Sequence, residues 1–253
     1  RLWLGDPVPV RWERPELPGI DINAPHDYYG SSPDPDVATV ERARRWKAFG
    51  KPVIVGETGN WVDSDPAKRP PGHGGVWYPE SALRMRIRNW VALFNETTFI
   101  FWNTSYARDG HFMNMWLGPQ ERQYVHAMQS FAYLLDRDVR MVDVAVSDPQ
   151  AVRAWGLRSA RRAAAYLYHF ARPGTPVQGL TLTLDVPAAA RGYWYSPEDA
   201  AILGALDVRA GRQALAVPTF ATDIALLITP DGPPDIDHDG TPNDLDEDDD
   251  NDG

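Results

Sequence analysis

Short apolar runs alternate with amphipathic segments over the first half of the chain. The clearest run is residues 51–59, Lys-Pro-Val-Ile-Val-Gly-Glu-Thr-Gly, whose apolar part stops at Gly56 and Glu57. A run of this length between Pro and Gly predicts a strand buried on both faces, as in parallel α/β sheets. Two further strands that also run into polar residues are predicted over 19–29 and 97–103. Apolar residues at helical spacing predict helices over 37–49, 81–95 and 119–135.

Glu57 lies where its predicted strand ends. In a barrel of alternating strands and helices, the carboxyl ends of the strands form the active-site face. A carboxylate at that point is therefore a candidate for chemistry. The alternative is a solvated loop glutamate, or one that caps the following turn.

The pattern changes from about residue 139. Short runs with partial alternation, separated by Pro, Gly and Asp, predict an antiparallel β-sandwich. The predicted strands cover 141–146, 152–157, 163–170, 180–186, 192–195, 214–217 and 224–228. The aromatic residues 193–195 offer a sugar-binding platform, but alternating aromatics on a strand more often pack across strands.

The C-terminal segment carries a calcium-loop pattern. Asp235, Asp237 and Asp239 occupy positions one, three and five, Gly240 occupies position six, and Thr241 supplies a carbonyl at position seven. This spacing provides hard oxygen ligands around a tight turn, which calcium requires. Position twelve and the second repeat add Asp246, Asp248, Asp250 and Asp252. The alternative is a solvated acidic tail.

The order of the strand motifs resembles a known barrel. A strand ending in His-x-Tyr, then Pro-Val-Ile-Val-Gly-Glu, then Phe-Ile-Phe-Trp is similar to strands six, seven and eight of the (β/α)8 barrels of glycoside hydrolase clan A, of the cellulase-like family 5 type. The resemblance implies that Glu57 is the nucleophile. It also implies that His26 and Tyr28 line the cleft and that Trp102 forms the floor of the sugar subsite.

The segments that follow carry resemblances of their own. Residues 193–199 and 217–226 resemble the β-sandwich domains that pack against such barrels. The acidic segment resembles thrombospondin type 3 repeats of bacterial secreted proteins. A dockerin is the alternative, although no apolar helix follows the first loop. The expected organisation is a second half-barrel over 1–137, a β-sandwich over 138–229 and calcium repeats over 230–253.

The acid that a retaining glycosidase needs has no candidate in the chain. Retaining hydrolysis requires a second carboxyl group about 5 Å from the nucleophile. In the clan, that Glu follows an Asn at the end of strand four, whereas the pair Asn95-Glu96 follows a helix after Glu57. Glu13 and Glu16 lie in a Pro-rich loop. The sequence therefore indicates a fragment whose missing N-terminal half supplies the acid/base.

Aromatic residues in two long loops are candidates for sugar contact. Trp61 and Trp77 belong to the loop over 60–79 after the predicted strand of Glu57. Loops this long in a compact domain are usually functional or disordered, and these tryptophans suit either sugar stacking or a loop core. A zinc site of His26, His73 and His111 is disfavoured because these loops are far apart in sequence.

Charge and composition restrict the class of function. The net charge is −10, but ten of the 35 acidic residues lie within 235–252, so the rest of the chain balances 25 acidic against 25 basic residues. A net charge of zero outside the acidic segment argues against nucleic acid as a partner. The absence of Cys excludes disulfides and thiolate metal sites. No apolar run is long enough to span a membrane.

Two functional classes follow from these observations. The first is a fragment of an extracellular retaining glycoside hydrolase that acts on an oligosaccharide or polysaccharide. The second is a non-catalytic extracellular module for carbohydrate binding or adhesion. Calcium in the tail favours an extracellular location in both cases, because densely spaced carboxylates need the millimolar calcium found outside cells to become ordered.

Overall fold

The computed structural model describes residues 16–25, 35–59, 81–102, 104–105, 114–115, 117–232 and 235. The chain divides into two compact units, residues 1–122 and 123–253. Helices combine with one parallel and several antiparallel sheets. Within the described residues no helix is long and apolar enough to cross a lipid bilayer.

The first unit alternates helices and strands. Its elements are α1 (Pro35–Arg44), a 3₁₀ turn (Arg45–Phe49), β1 (Ile54–Gly59), α2 (Ser81–Phe94), β2 (Thr98–Trp102), β3 (Thr104–Ser105) and β4 (Asn114–Met115). Pro35 opens α1, where its missing N–H costs nothing. The 3₁₀ turn ends at Gly50, whose φ of 70° lies in the left-handed region that glycine tolerates.

The predicted strand, helix, strand order around Glu57 is confirmed. β1 and β2 pair in parallel, and Asn23 adds a parallel bridge to Val53 on the other side of β1. Val53 and Val55 pack with Ala43 of α1 in a small core that Phe99 also contacts. Of the strand predicted over 19–29, the described part contains this single bridge.

The opposite face of these strands is exposed in the described part of the chain. Side chains on a strand alternate between its two faces, and three isoleucines lie next to a residue that faces the helices. The side chains of Ile22, Ile54 and Ile100 therefore lie on the other face, which we call the helix-free face. Ile22 and Ile100 expose 47% and 54% of their surface. Within the described residues the strands do not close into a barrel.

The second unit is mostly antiparallel. The helix α3 (Pro119–Tyr133) leads into it. Its strands are β5 (Arg140–Val142), β6 (Ala145–Val146), β7 (Arg153–Arg158), β8 (Ala163–Tyr168), β9 (Thr181–Val186), β10 (Ala190–Tyr195), β11 (Ile202–Val208), β12 (Gly211–Ala216) and β13 (Asp223–Thr229).

Two antiparallel sheets share one core in this unit. The order is β11-β10-β13-β8-β7-β5 in the larger sheet and β12-β9-β6 in the smaller. Leu182 and Leu184 of β9 pack in the same apolar cluster as Leu226 of β13 and Trp194 of β10. Strand β9 alternates buried and half-buried residues, whereas β8 and β13 are buried along their whole length. The central strands are therefore covered on both faces.

One strand of the larger sheet is absent from the sequence-based prediction. β11 contains Gly204 and Ala205 among its apolar residues, and Gly and Ala are depleted in strands. β11 nevertheless pairs with β10, from the pair of Ala190 and Val208 to the pair of Tyr195 and Ile202. This pairing outweighs the weak preference of Gly and Ala. The strand is therefore specified by its neighbour rather than by its own composition.

Candidate active site

The carboxyl ends of three extended segments lie side by side. The N–H of Gly56 donates to the carbonyl of Pro25 at 2.8 Å, and that of Ile54 to Asn23 at 2.9 Å. On the other side of β1, Gly59 pairs with Trp102, the last residue of β2. The carboxyl ends of the three segments, at Pro25, Gly59 and Trp102, therefore lie at one edge of the sheet.

Glu57 lies in an irregularity of β1. Val55 pairs with Phe99, but Thr58 pairs with Phe101, so β1 contains one residue more than β2 between these pairs. This is a β-bulge, a feature that interrupts the ladder and redirects a side chain. Gly56 and Glu57 are the two residues that the bulge accommodates.

The bulge determines which face Glu57 occupies. Val53 and Val55 face the helices, so regular alternation would also turn Glu57 toward them. Thr58 instead is the fully buried residue that contacts α2, while Glu57 is only half-buried. The extra residue thus shifts the alternation and directs Glu57 to the helix-free face.

Thr58 is held by a buried arginine. Nη1 of Arg88 donates to Oγ1 of Thr58 at 2.7 Å, and the two residues expose 1% and 0% of their surface. Neither Arg88 nor Thr58 is among the site residues predicted from the sequence. A signal for a buried arginine exists, because Arg86 and Arg88 are two residues apart and so lie on roughly opposite sides of the helix. The structure buries both, with 4% of Arg86 and 1% of Arg88 exposed.

The pair Asn95-Glu96 has a structural role. Nζ of Lys47 lies 2.6 Å from Oε2 of Glu96, and Arg44 donates to Oδ1 of Asn95 at 3.3 Å. Glu96 has a φ of 49°, as residues that terminate helices often do. These contacts join the ends of α1 and α2 near the amino end of β2. The pair therefore lies near the end of the sheet opposite to that of Glu57.

Most of the other predicted site residues belong to segments outside the described part of the chain. His26, Tyr28, Trp61 and Trp77 lie outside the described residues, as do His73 and His111 of the disfavoured zinc site. The same holds for the tail from residue 236 onward, so of the predicted calcium ligands only Asp235 is described. No cluster of three potential metal ligands occurs in the described part of the chain.

The aromatic residues of β10 pack internally. Trp194 belongs to the core between the two sheets, and Tyr193 and Tyr195 are also buried. The ring of Tyr195 meets that of Phe131 in α3 edge to face, with centroids 5.4 Å apart. The interpretation of these aromatics as packing residues is confirmed.

Comparison with known proteins shows a partial similarity of fold. No protein-family model matches the sequence, and no curated protein matches it. Among solved structures, a glycoside hydrolase is 15% identical, with a TM-score of 0.54, over 85% of this chain and 54% of that one. A family 5 glycoside hydrolase from Bacteroides vulgatus is 14% identical, with a TM-score of 0.50, over 82% of this chain and 50% of that one.

A GH30 endoxylanase from Clostridium papyrosolvens is also similar, at 15% identity and a TM-score of 0.47, over 83% of this chain and 49% of that one. The chain thus spans about half the length of each of these proteins. The first two comparisons indicate that the chain shares part of the glycoside hydrolase fold.

Proposed function

We propose that this chain forms part of a retaining glycoside hydrolase in which Glu57 is the nucleophile. The observation that carries the proposal is the position of Glu57, which lies near the carboxyl end of a parallel strand and is directed by a bulge to the helix-free face. The fold shared with glycoside hydrolases supports it.

The chemistry requires two carboxyl groups. Glu57 would attack the anomeric carbon and displace the leaving oxygen, which a second carboxylic acid protonates, and the glycosyl-enzyme would then be hydrolysed by water. Among the described acidic residues of the first unit, Glu57 alone lies at the carboxyl end of a parallel strand. We assign the acid to further barrel strands on the N-terminal side of residue 19.

The substrate would be an oligosaccharide or polysaccharide. Trp102 pairs with Gly59, two residues from Glu57, and would form the floor of the sugar subsite. His26 and Tyr28 follow the neighbouring segment directly and would orient the nucleophile and the sugar. Trp61 and Trp77 would supply aromatic surface, which is typical of carbohydrate clefts.

The remaining parts of the chain would serve stability and location. We propose that the paired antiparallel sheets are an accessory β-sandwich and that calcium orders the acidic tail through Asp235, Asp237, Asp239, Thr241 and Asp246. The residues of the second repeat, Asp248, Asp250 and Asp252, would continue the series. Such a tail suits an extracellular protein, because weak calcium modules fill at extracellular concentrations.

A second candidate function is carbohydrate binding without catalysis. It is favoured because no other described acidic residue of the first unit lies at the carboxyl end of a parallel strand. The parallel strands would then present a sugar-binding surface only.

Covalent labelling separates the two functions. A 2-deoxy-2-fluoro glycoside with a dinitrophenol leaving group needs no acid to glycosylate a nucleophile, and the fluorine slows hydrolysis of the product. We expect β-glucoside and β-xyloside versions to include one that adds its sugar to the peptide containing Glu57, as read by mass spectrometry. Retention on immobilised polysaccharide without any labelling would instead support the binding module.

A further inference from the structure

We infer that Arg88 and Thr58 are a positioning pair for Glu57. Their buried hydrogen bond stabilises the bulge of β1 and so keeps the carboxylate on the helix-free face. A role for this pair in catalysis rests on the proposed function, whereas its effect on the position of Glu57 does not depend on that function.

The pair selects between two registers of β1. Without the bulge, residue 57 would continue the row of Val53 and Val55 and would enter the layer beneath α1 and α2. Thr58 would then turn toward the helix-free face and would no longer accept from Arg88. A buried donor that loses its acceptor is costly, so the bulged register is favoured.

Both partners are held rigidly. Arg88 belongs to α2, where the neighbouring side chains of Ile87, Trp90 and Val91 are fully or almost fully buried. Thr58 is β-branched, so its χ1 angle has few alternatives. A fixed donor and a stiff acceptor therefore fix Thr58 at the end of the bulge, and so restrict the position of Glu57, the bulged residue that precedes it.

The test measures the accessibility of the Glu57 carboxyl group in the whole chain. A water-soluble carbodiimide couples exposed carboxyl groups to glycine methyl ester, and peptide mass spectrometry gives the rate at Glu57. Thr58→Val keeps the side-chain shape and removes the acceptor. We expect the coupling rate to fall by up to about tenfold, because the loss of one buried hydrogen bond to a charged group shifts the equilibrium between the two registers by about that factor.

Three variants make the result specific. Thr58→Ser retains the hydroxyl and should restore the rate to near the wild-type value. Arg88→Met removes the donor with little change of length and should repeat the effect of Thr58→Val, which provides a second measurement if one variant folds poorly. Val91→Ala removes buried surface from the same helix without touching the hydrogen bond, and should lower stability but leave the rate unchanged.

The outcomes decide two separate questions. An unchanged rate in Thr58→Val and Arg88→Met would overturn the positioning pair. So would an equal fall in Val91→Ala, or a failure of Thr58→Ser to restore the rate. The fluoro-glycoside experiment on the wild type tests the proposed function independently. If the sugar never labels Glu57 but coupling follows the expected order, the pair stands and the nucleophile assignment fails.

Discussion

Arg162 pairs with Asp231 at one end of the larger antiparallel sheet. Nη2 of Arg162 lies 2.5 Å from Oδ2 of Asp231, and Arg161 binds the other carboxylate oxygen. Nη1 of Arg162 also donates to the carbonyl of Leu134 at 2.5 Å, just after α3. One arginine therefore connects the helix, the start of β8 and the segment that follows β13.

This cluster predicts a loss of stability in acid. The hydrogen bond from Arg162 is the main cause that holds the pKa of Asp231 below its ordinary value of 3.8. Because the folded pKa is the lower one, the stabilisation is present above pH 3.8 and disappears as the pH falls through the folded pKa. Asp231→Asn should cost about 1 kcal/mol at pH 7, since the pair is partly exposed.

Urea unfolding of the second unit between pH 7 and pH 2 would check this prediction. The difference between the wild type and Asp231→Asn should be constant well above pH 3.8 and should shrink as the pH falls below 3.8, through the lower folded pKa. A difference that stays constant over the whole range would contradict it. Asp207→Asn, an exposed aspartate on β11, is the control and should have little effect at any pH.

A second prediction concerns the contact between β5 and β7. A Cβ atom at Gly156 would lie 2.5 Å from Cγ1 of Val144 and 3.1 Å from the carbonyl oxygen of Val142, which is fixed by the ladder. Gly156→Ala should therefore destabilise the protein by about 1–3 kcal/mol through overpacking. The measurement is the urea midpoint.

Gly204 provides the matched control in the same sheet. A Cβ atom there would meet nothing within 4 Å. Gly204→Ala should be neutral, or stabilising by roughly 0.4–1 kcal/mol because it reduces the freedom of the unfolded chain. Equal effects of the two substitutions would show that crowding at Gly156 is relieved elsewhere.

A third prediction tests the nucleophile. Glu57→Gln keeps the shape of the side chain and removes the charge that attacks the anomeric carbon. The variant should lose all covalent labelling by the fluoro-glycosides and all turnover in the intact enzyme, while it retains binding to the same polysaccharide. Labelling at another carboxylate in both proteins would reassign the nucleophile.

A fourth prediction concerns calcium. The segment 235–246 should bind calcium with a dissociation constant of roughly 10⁻⁴ to 10⁻³ M, the range of extracellular modules. Calorimetry should record heat for the wild type and a large loss of affinity for Asp237→Ala, because one carboxylate ligand is removed. Identical heats, or none at millimolar calcium, would identify the segment as a solvated acidic tail.

The sequence by itself determined most of the secondary structure. The apolar run before Glu57, the helical spacing over 81–95 and the short strands after residue 139 each express a local periodicity, and a period of 2 or 3.6 is readable without knowledge of contacts. The position of Glu57 near a strand end follows from the same pattern. The calcium ligands and the loop tryptophans stay predictions.

Only the tertiary structure decided how these elements are used. The strand β11 forms because β10 pairs with it. The bulge in β1 is defined by its register with β2, and Arg88 is buried where it donates to Thr58. Strand register and side-chain burial depend on partners distant in sequence, and a one-residue shift of register turns a side chain to the other face of a sheet. For that reason the sequence predicts Glu57 as a candidate, whereas the face of the sheet on which its side chain lies is fixed by residues of the neighbouring strand and helix.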